Sequence, residues 1–312
     1  MRLKHPGFTL PLLLVALVLG CGGSEDGALS DPRPVVVSSI FPIGDLVQRL
    51  TGDLIRIEVL LPPGASPATF DVTPRQFMDL RDASLFLMIG GGLDEWVSHF
   101  PEATGGEAPV VRLSDGVPLL AGDGDEEGEA EYGHDHASGN PHIWLDPILV
   151  RDRILPTLSE ALEEAFPENI GPIRVQATLL ADSLTALDQE IREKLRPLTN
   201  RAFIATHSAW TYFANRYQLE EVGVIHAHPG QEPSSRALAA LLEVARARKV
   251  ACLFTEPQLG EVAARALATE LSLPTCMLDP LGGAELEGRA GYFQLLRFNA
   301  QQLADGLGGA GP

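Results

Sequence analysis

Basic residues are in short supply in this chain. Twenty-three Lys and Arg stand against 42 Asp and Glu over 312 residues, giving a net charge of −19. Nucleic-acid binding needs clustered Lys and Arg to neutralise phosphates, and no such cluster occurs, so nucleic acid is excluded as a partner. Aromatic residues are also scarce, at 6%. Cysteine is nearly absent, with three residues, too few for a disulfide framework. Beyond the N-terminus no apolar run is long enough to span a bilayer. A His-Glu-x-x-His helix, the signature of a zinc protease, is missing as well. Glycine and proline are plentiful instead, 31 and 24 residues in a chain that is 45% hydrophobic. That balance fits an α/β protein with many short connections, and the length allows two domains with real cores. The acidic surface suits a soluble protein, and an attraction for cations is the alternative reading.

The first residues read as a targeting segment. Arg2 and Lys4 precede an apolar stretch from Phe8 to Leu19 that is too short to cross a bilayer as a mature helix. Val18-Leu19-Gly20-Cys21 resembles a lipobox. Residues 1–20 are therefore expected to be a lipoprotein signal peptide, with Cys21 as the lipidated first residue of the mature chain. Loss of Arg2 and Lys4 takes the charge from −19 to −21. Residues 21–34 then form a flexible tether. The mature protein is expected to be exported and anchored by lipid to the cell envelope, on the periplasmic face or the outer surface of a membrane. In that oxidising setting Cys252 and Cys276 are either a disulfide between neighbouring strands or two buried thiols.

From Val35 onward, strand-like and helix-like segments alternate, which predicts parallel sheets flanked by helices. Val35–Ile40, Leu54–Leu61, Ser84–Ile89 and Pro109–Leu113 read as strands, and Thr73-Pro74 as an N-cap opening a helix. Residues 121–139 break the pattern with acidic and Gly-rich sequence that carries His134 and His136. From about Pro172 to Leu195, Val175, Leu179, Leu180, Leu184, Leu187, Ile191 and Leu195 recur every three or four residues, predicting a helix about 35 Å long. The alternation then resumes with strands at Ala202–Thr206, Leu219–Ile225, Val250–Thr255 and Pro274–Leu278. The expected layout is an N-terminal α/β lobe over 35–171, a linker helix over 172–196 and a C-terminal α/β lobe over 197–312.

Chemistry concentrates at a few places. Asn140-Pro-His-Ile-Trp-Leu-Asp-Pro147 holds His142 in a stiff, proline-bracketed turn. His207, Glu256 and Asp279 fall at the carboxyl ends of three predicted strands, where open parallel sheets collect ligands. Two imidazoles and a carboxylate on stiff backbone suit a divalent metal, and nitrogen-rich ligation favours zinc. Structural alternatives exist for each: Asp279 as an N-cap, Glu256 as a surface residue, His207 as a satisfied core histidine. Asp146 reads as the cap of a helix beginning at Pro147. His134 and His136 read as a metal-collecting loop or as plain solvated residues. His226-Ala227-His228 lies at the cleft or on the surface.

Taken together these residues resemble the metal-binding receptors of zinc and manganese ABC importers (cluster A-I, zinc type), in which a rigid helix joins two lobes. The resemblance rests on Pro62-Pro63-Gly64, Thr69-Phe70-Asp71-Val72-Thr73-Pro74, Pro141-His142-Ile143-Trp144-Leu145-Asp146-Pro147 and Thr206-His207-Ser208-Ala209. It continues through Glu232-Pro233-Ser234, Thr255-Glu256-Pro257-Gln258 and Leu278-Asp279-Pro280-Leu281. It implies His142, His207 and Asp279 as metal ligands, Zn2+ as the cargo with Mn2+ as the alternative, and a monomeric, non-enzymatic receptor partnered by a membrane permease. The family's first ligand histidine has no counterpart here, because Pro67-Ala68-Thr69 stands in its place. Water could be the fourth ligand, or His134, His136, His228 or Glu256 could substitute, or tight zinc binding has been lost in favour of another ligand. A zinc hydrolase with an open three-ligand site is the reading from a different class.

Overall fold

The apolar run at Val35 becomes strand β1 (Val35–Ser38), buried along its whole length. Pro42, in the first turn of α1 (Phe41–Thr51), pre-sets the helix that follows. Next come β2 (Arg56–Val59) and α2 (Pro74–Asp79). The Thr73 side chain accepts from Gln76 N, and Gln76 Oε1 accepts from Thr73 N at 3.0 Å, completing the expected N-cap as a capping box. The first half closes with β3 (Leu85–Met88), α3 (Phe100–Thr104) and β4 (Val110–Arg112). Its four strands are all parallel, in the order β2-β1-β3-β4.

Helices α4 (Pro147–Leu149) and α5 (Leu155–Ala165) lead to α6 (Ile170–Leu195), the long helix that joins the halves. The second half then runs β5 (Ala202–Ala205), α7 (Thr211–Tyr217), β6 (Glu220–Val224), α8 (Ser235–Arg248), β7 (Leu253–Thr255), α9 (Val262–Leu271), β8 (Thr275–Met277) and α10 (Tyr292–Leu307). Its strands are also all parallel, in the order β6-β5-β7-β8, the same winding as the first sheet. The expected fold, two α/β lobes joined by one long helix, is the fold observed.

Helix α6 has 26 residues, about 39 Å at the usual rise. Its apolar face is the predicted one from Leu180 to Leu195 and departs from it only in the first turns. Ile173, Leu180, Leu184, Leu187, Ile191 and Leu195 are buried, whereas Val175 and Leu179 are 60% and 54% exposed. The face is set by what the helix packs on: α1, α5 and α10 all lie against it, and a stripe starting at Ile173 meets them. One hydrophobic core therefore continues from the first sheet along α6 into the second half, joining Val36 and Leu87 to Phe203 and Phe254.

The computed structural model describes residues 31–121, 139–227 and 230–309. The expected signal peptide, Cys21, His134, His136 and His228 lie outside the described residues. Among the described residues no helix is long and apolar enough to cross a membrane. Cys252 and Cys276 are buried free thiols beneath α10. Cys276 pairs in register with Phe254, and Cys252 lies two residues earlier, just before β7, so the cysteines are not directly opposite each other.

Candidate metal centre

In the order β6-β5-β7-β8 the winding reverses between β5 and β7, and the crevice beyond their carboxyl ends is where such sheets bind ligands. Thr206 Oγ1 ties the two ends together by donating to Phe254 O at 3.0 Å. His207 follows β5 and Glu256 follows β7 at this reversal. The corresponding point of the first sheet is sealed. Gly90, Gly91 and Gly92 turn there with φ of 81°, 62° and 85°. The fully buried Asp94 accepts from Ile89 N and Gly90 N, both at 2.8 Å. Burial is the chief influence on Asp94 and pushes its carboxyl above the usual range.

Glu256 is placed differently from the ligand role weighed for it. Its Oε2 lies 2.7 Å from His207 Nδ1, in contact though not aligned as a linear hydrogen bond, and its Oε1 accepts from Trp210 Nε1 at 3.3 Å. The carboxylate is thus behind the imidazole. The negative charge facing Nδ1 favours the proton there and leaves Nε2 with its lone pair.

His142 is oriented in the same manner by a neutral group. Asn140 Oδ1 accepts from His142 N at 3.0 Å and lies 2.8 Å from His142 Nδ1. The Asn140 amide nitrogen donates to Ser208 O and Thr211 Oγ1, so the oxygen must be the atom facing the ring, and Nδ1 carries the proton. The whole turn is fastened to the second lobe. Tyr212 Oη donates to Asn140 O at 2.8 Å, Trp144 Nε1 to Pro280 O at 2.8 Å, Tyr292 Oη to Trp144 O at 2.7 Å, and Arg216 Nε to Asp146 Oδ1 at 2.9 Å. Asp146 also caps α4 as expected, accepting from Ile148 N and Leu149 N.

The two histidines meet. Their Nε2 atoms are 3.3 Å apart at a cavity of about 20 Å3, walled by Ser66, Pro67, His142, Trp144, His207 and Gln258 and closed by Pro280 and Leu281. Two nitrogens bound tetrahedrally to one zinc ion at about 2.05 Å would stand roughly 3.3–3.4 Å apart. The pair thus has the separation that one shared cation requires. Burial, and then the neighbouring His207, hold His142 well below the ordinary histidine pKa, keeping its Nε2 unprotonated near neutrality.

Asp279 does not join this pair directly. Fully buried, its Oδ2 accepts from Arg289 Nη1 at 2.6 Å. Its Oδ1 accepts from Gln258 Nε2 at 2.8 Å and from Leu281 N and Gly282 N, both at 3.0 Å. Gly282 is required at this turn: its φ is 65°, and a Cβ would lie 2.7 Å from Arg289 O. Among the described residues no three His, Cys, Asp or Glu side chains form a metal cluster. Ala68 is exposed beside the cavity wall, and His226 is buried with Nδ1 2.9 Å from Gln231 O. Sequence reasoning passed over Asn140, Gln258 and Arg289. Asn140 and Gln258 stood inside quoted motifs, but a neutral amide shows its role only through what it touches.

Known proteins resemble this chain in sequence and in fold. The chain is 27% identical to "High-affinity zinc uptake system protein ZnuA" of Bacillus subtilis (strain 168), covering 97% of this chain and 98% of that protein. It is 24% identical to "Zinc-binding lipoprotein AdcA" of Streptococcus pneumoniae serotype 4 over 99% of this chain, but spans only 62% of AdcA. A crystal structure of a ZnuA deletion mutant with zinc bound superposes with a TM-score of 0.76 at 28% identity, covering 88% of this chain and 98% of that one. The family described as "Zinc-uptake complex component A periplasmic" matches residues 36–306, both sheets and the helix between them, and the chain belongs to that family.

Proposed function

We propose that this protein is an extracytoplasmic receptor that captures Zn2+ between its two lobes and hands it to the permease of an ABC importer. The observation that carries the reading is the pair of inward-facing Nε2 atoms of His142 and His207, 3.3 Å apart and each freed by a partner on Nδ1. Two imidazole nitrogens favour zinc over manganese. His142 and His207 hold the ion, and Asp279 supplies the negative charge of the site. Direct coordination by Asp279 requires Oδ2 to share or release Arg289. The surrounding side chains keep the ion from bulk water, with Trp144, Pro280 and Leu281 forming the apolar part of the wall.

The protein acts as a binder and not as an enzyme. Both oxygens of Glu256 face His207 and Trp210, which deprives the hydrolase reading of its candidate base. In this proposal residues 35–171 and 197–312 work as the two lobes about the helix 172–196, and the mature chain is a monomer anchored through lipidated Cys21. Calorimetry of the mature protein tests the reading. Zn2+ should bind more tightly than Mn2+, and His142→Ala and His207→Ala should each weaken zinc by roughly 100-fold, about 2.8 kcal/mol. Zinc affinity unchanged in both variants would falsify the site.

A further inference from the structure

Each histidine of the pair is backed by an oxygen: Glu256 Oε2 behind His207 and Asn140 Oδ1 behind His142. A third side chain at the same cavity is built alike. Gln258 lines the cavity, and its Nε2 donates to Asp279 Oδ1 at 2.8 Å. A carboxylate can only accept, so the amide nitrogen must face Asp279 and the amide oxygen must point away from it. That oxygen, Oε1, is buried and has no hydrogen-bond partner among the described residues. A buried carbonyl oxygen left unpartnered carries a desolvation cost that a cation would remove.

We propose that Gln258 Oε1 is a zinc ligand, the third donor beside His142 and His207, and that Asp279 acts on the ion through the Gln258 amide. This inference rests on the zinc reading of the preceding subsection. Donation from Nε2 to a charged carboxylate polarises the amide and enriches Oε1 in electron density, as a carboxylate behind a metal-bound histidine enriches its ring. Asp279 is then a positioning residue, held by Arg289 and two backbone N–H groups in the orientation that presents Gln258. Among the described residues the facing wall offers only the Ser66 hydroxyl, and Ala68 close by has no donor atom.

The test is zinc titration calorimetry on the whole mature protein and on Gln258→Ala, Gln258→Met, Gln258→Glu and Val175→Ala, with thermal melting to verify folding. Gln258→Ala and the isosteric, oxygen-free Gln258→Met should each weaken zinc roughly tenfold. Gln258→Glu keeps the oxygen but loses the N–H to Asp279, and should stay within about threefold of the parent or bind more tightly. Val175→Ala, at an exposed position on α6 outside the cavity, should leave affinity unchanged. If the amide merely braces Asp279, Gln258→Glu sets two carboxylates together and binds as poorly as the Ala variant, which overturns the proposal. Parental affinity in Gln258→Ala and Gln258→Met overturns it too. A parent protein that does not bind zinc, or binds it equally with His207→Ala, sinks the receptor reading itself, so the two failures are told apart.

Discussion

At the scale of single residues, the site is a problem in tautomers. An imidazole offers a metal only the nitrogen that lacks a proton, and what sits on the opposite ring nitrogen decides which one that is. Glu256 makes that choice for His207 and Asn140 makes it for His142. Removing the charge behind His207 with Glu256→Gln should therefore weaken zinc by about 10–100-fold although no ligand is lost. Competition against a chromophoric chelator measures this, and parental affinity in the variant would show that Glu256 does not orient the ring. His142 and His207 were legible in the sequence because stiff segments deliver them: a proline-bracketed turn and the end of an apolar run. Glu256 was legible as a strand-end carboxylate, but not its role, since nothing in the chain order tells whether it faces Nδ1 or Nε2. Arg289 was invisible, lying in an irregular stretch and bonded to a carboxylate ten positions away.

At the scale of elements, the strands were the clearest features, because each is a short apolar or β-branched run closed by Gly, Pro or a polar residue. Helix α6 was legible in length and in most of its face, from Leu180 to Leu195, but not in its first turns. Its apolar positions outnumber those the neighbouring helices can cover, so Val175 and Leu179 are left in solvent while Ile173 is buried. Denaturant unfolding separates the two sets. Leu184→Ala, at a fully buried position, should cost about 2–5 kcal/mol, whereas Val175→Ala should stay within about 0.5 kcal/mol. Equal losses at both positions would mean that the helix presents a different face in solution. Asp146 shows an element and the site sharing one residue: the carboxylate that caps α4 also receives Arg216 from α7.

At the scale of the whole molecule, the two-lobe plan followed from the repeated strand–helix alternation. The identical winding of the two sheets did not, because strand order depends on contacts across long separations. Burial of His142 has a consequence for the entire fold. Its folded pKa lies well below 6.5, so below the ordinary histidine value the unfolded chain takes up a proton that the native state refuses. Stability of the metal-free protein should fall as pH drops below about 6.5, by at most about 1.4 kcal/mol per pH unit for this one group. Urea midpoints at pH 7 and pH 5 report it, and His142→Gln should flatten the slope; a slope unaltered by that change would place the effect elsewhere. The fastening of the Asn140–Asp146 turn to Ser208, Tyr212, Pro280 and Arg216 has a mechanical outcome. His142 precedes α6 in the chain yet rides with the half that follows it, so flexing about the helix leaves the two jaws at one spacing. The socket's outer wall, Ser66 and Pro67, comes instead from the first half, so a change in the angle between the halves would move that wall while leaving the histidine spacing as it is.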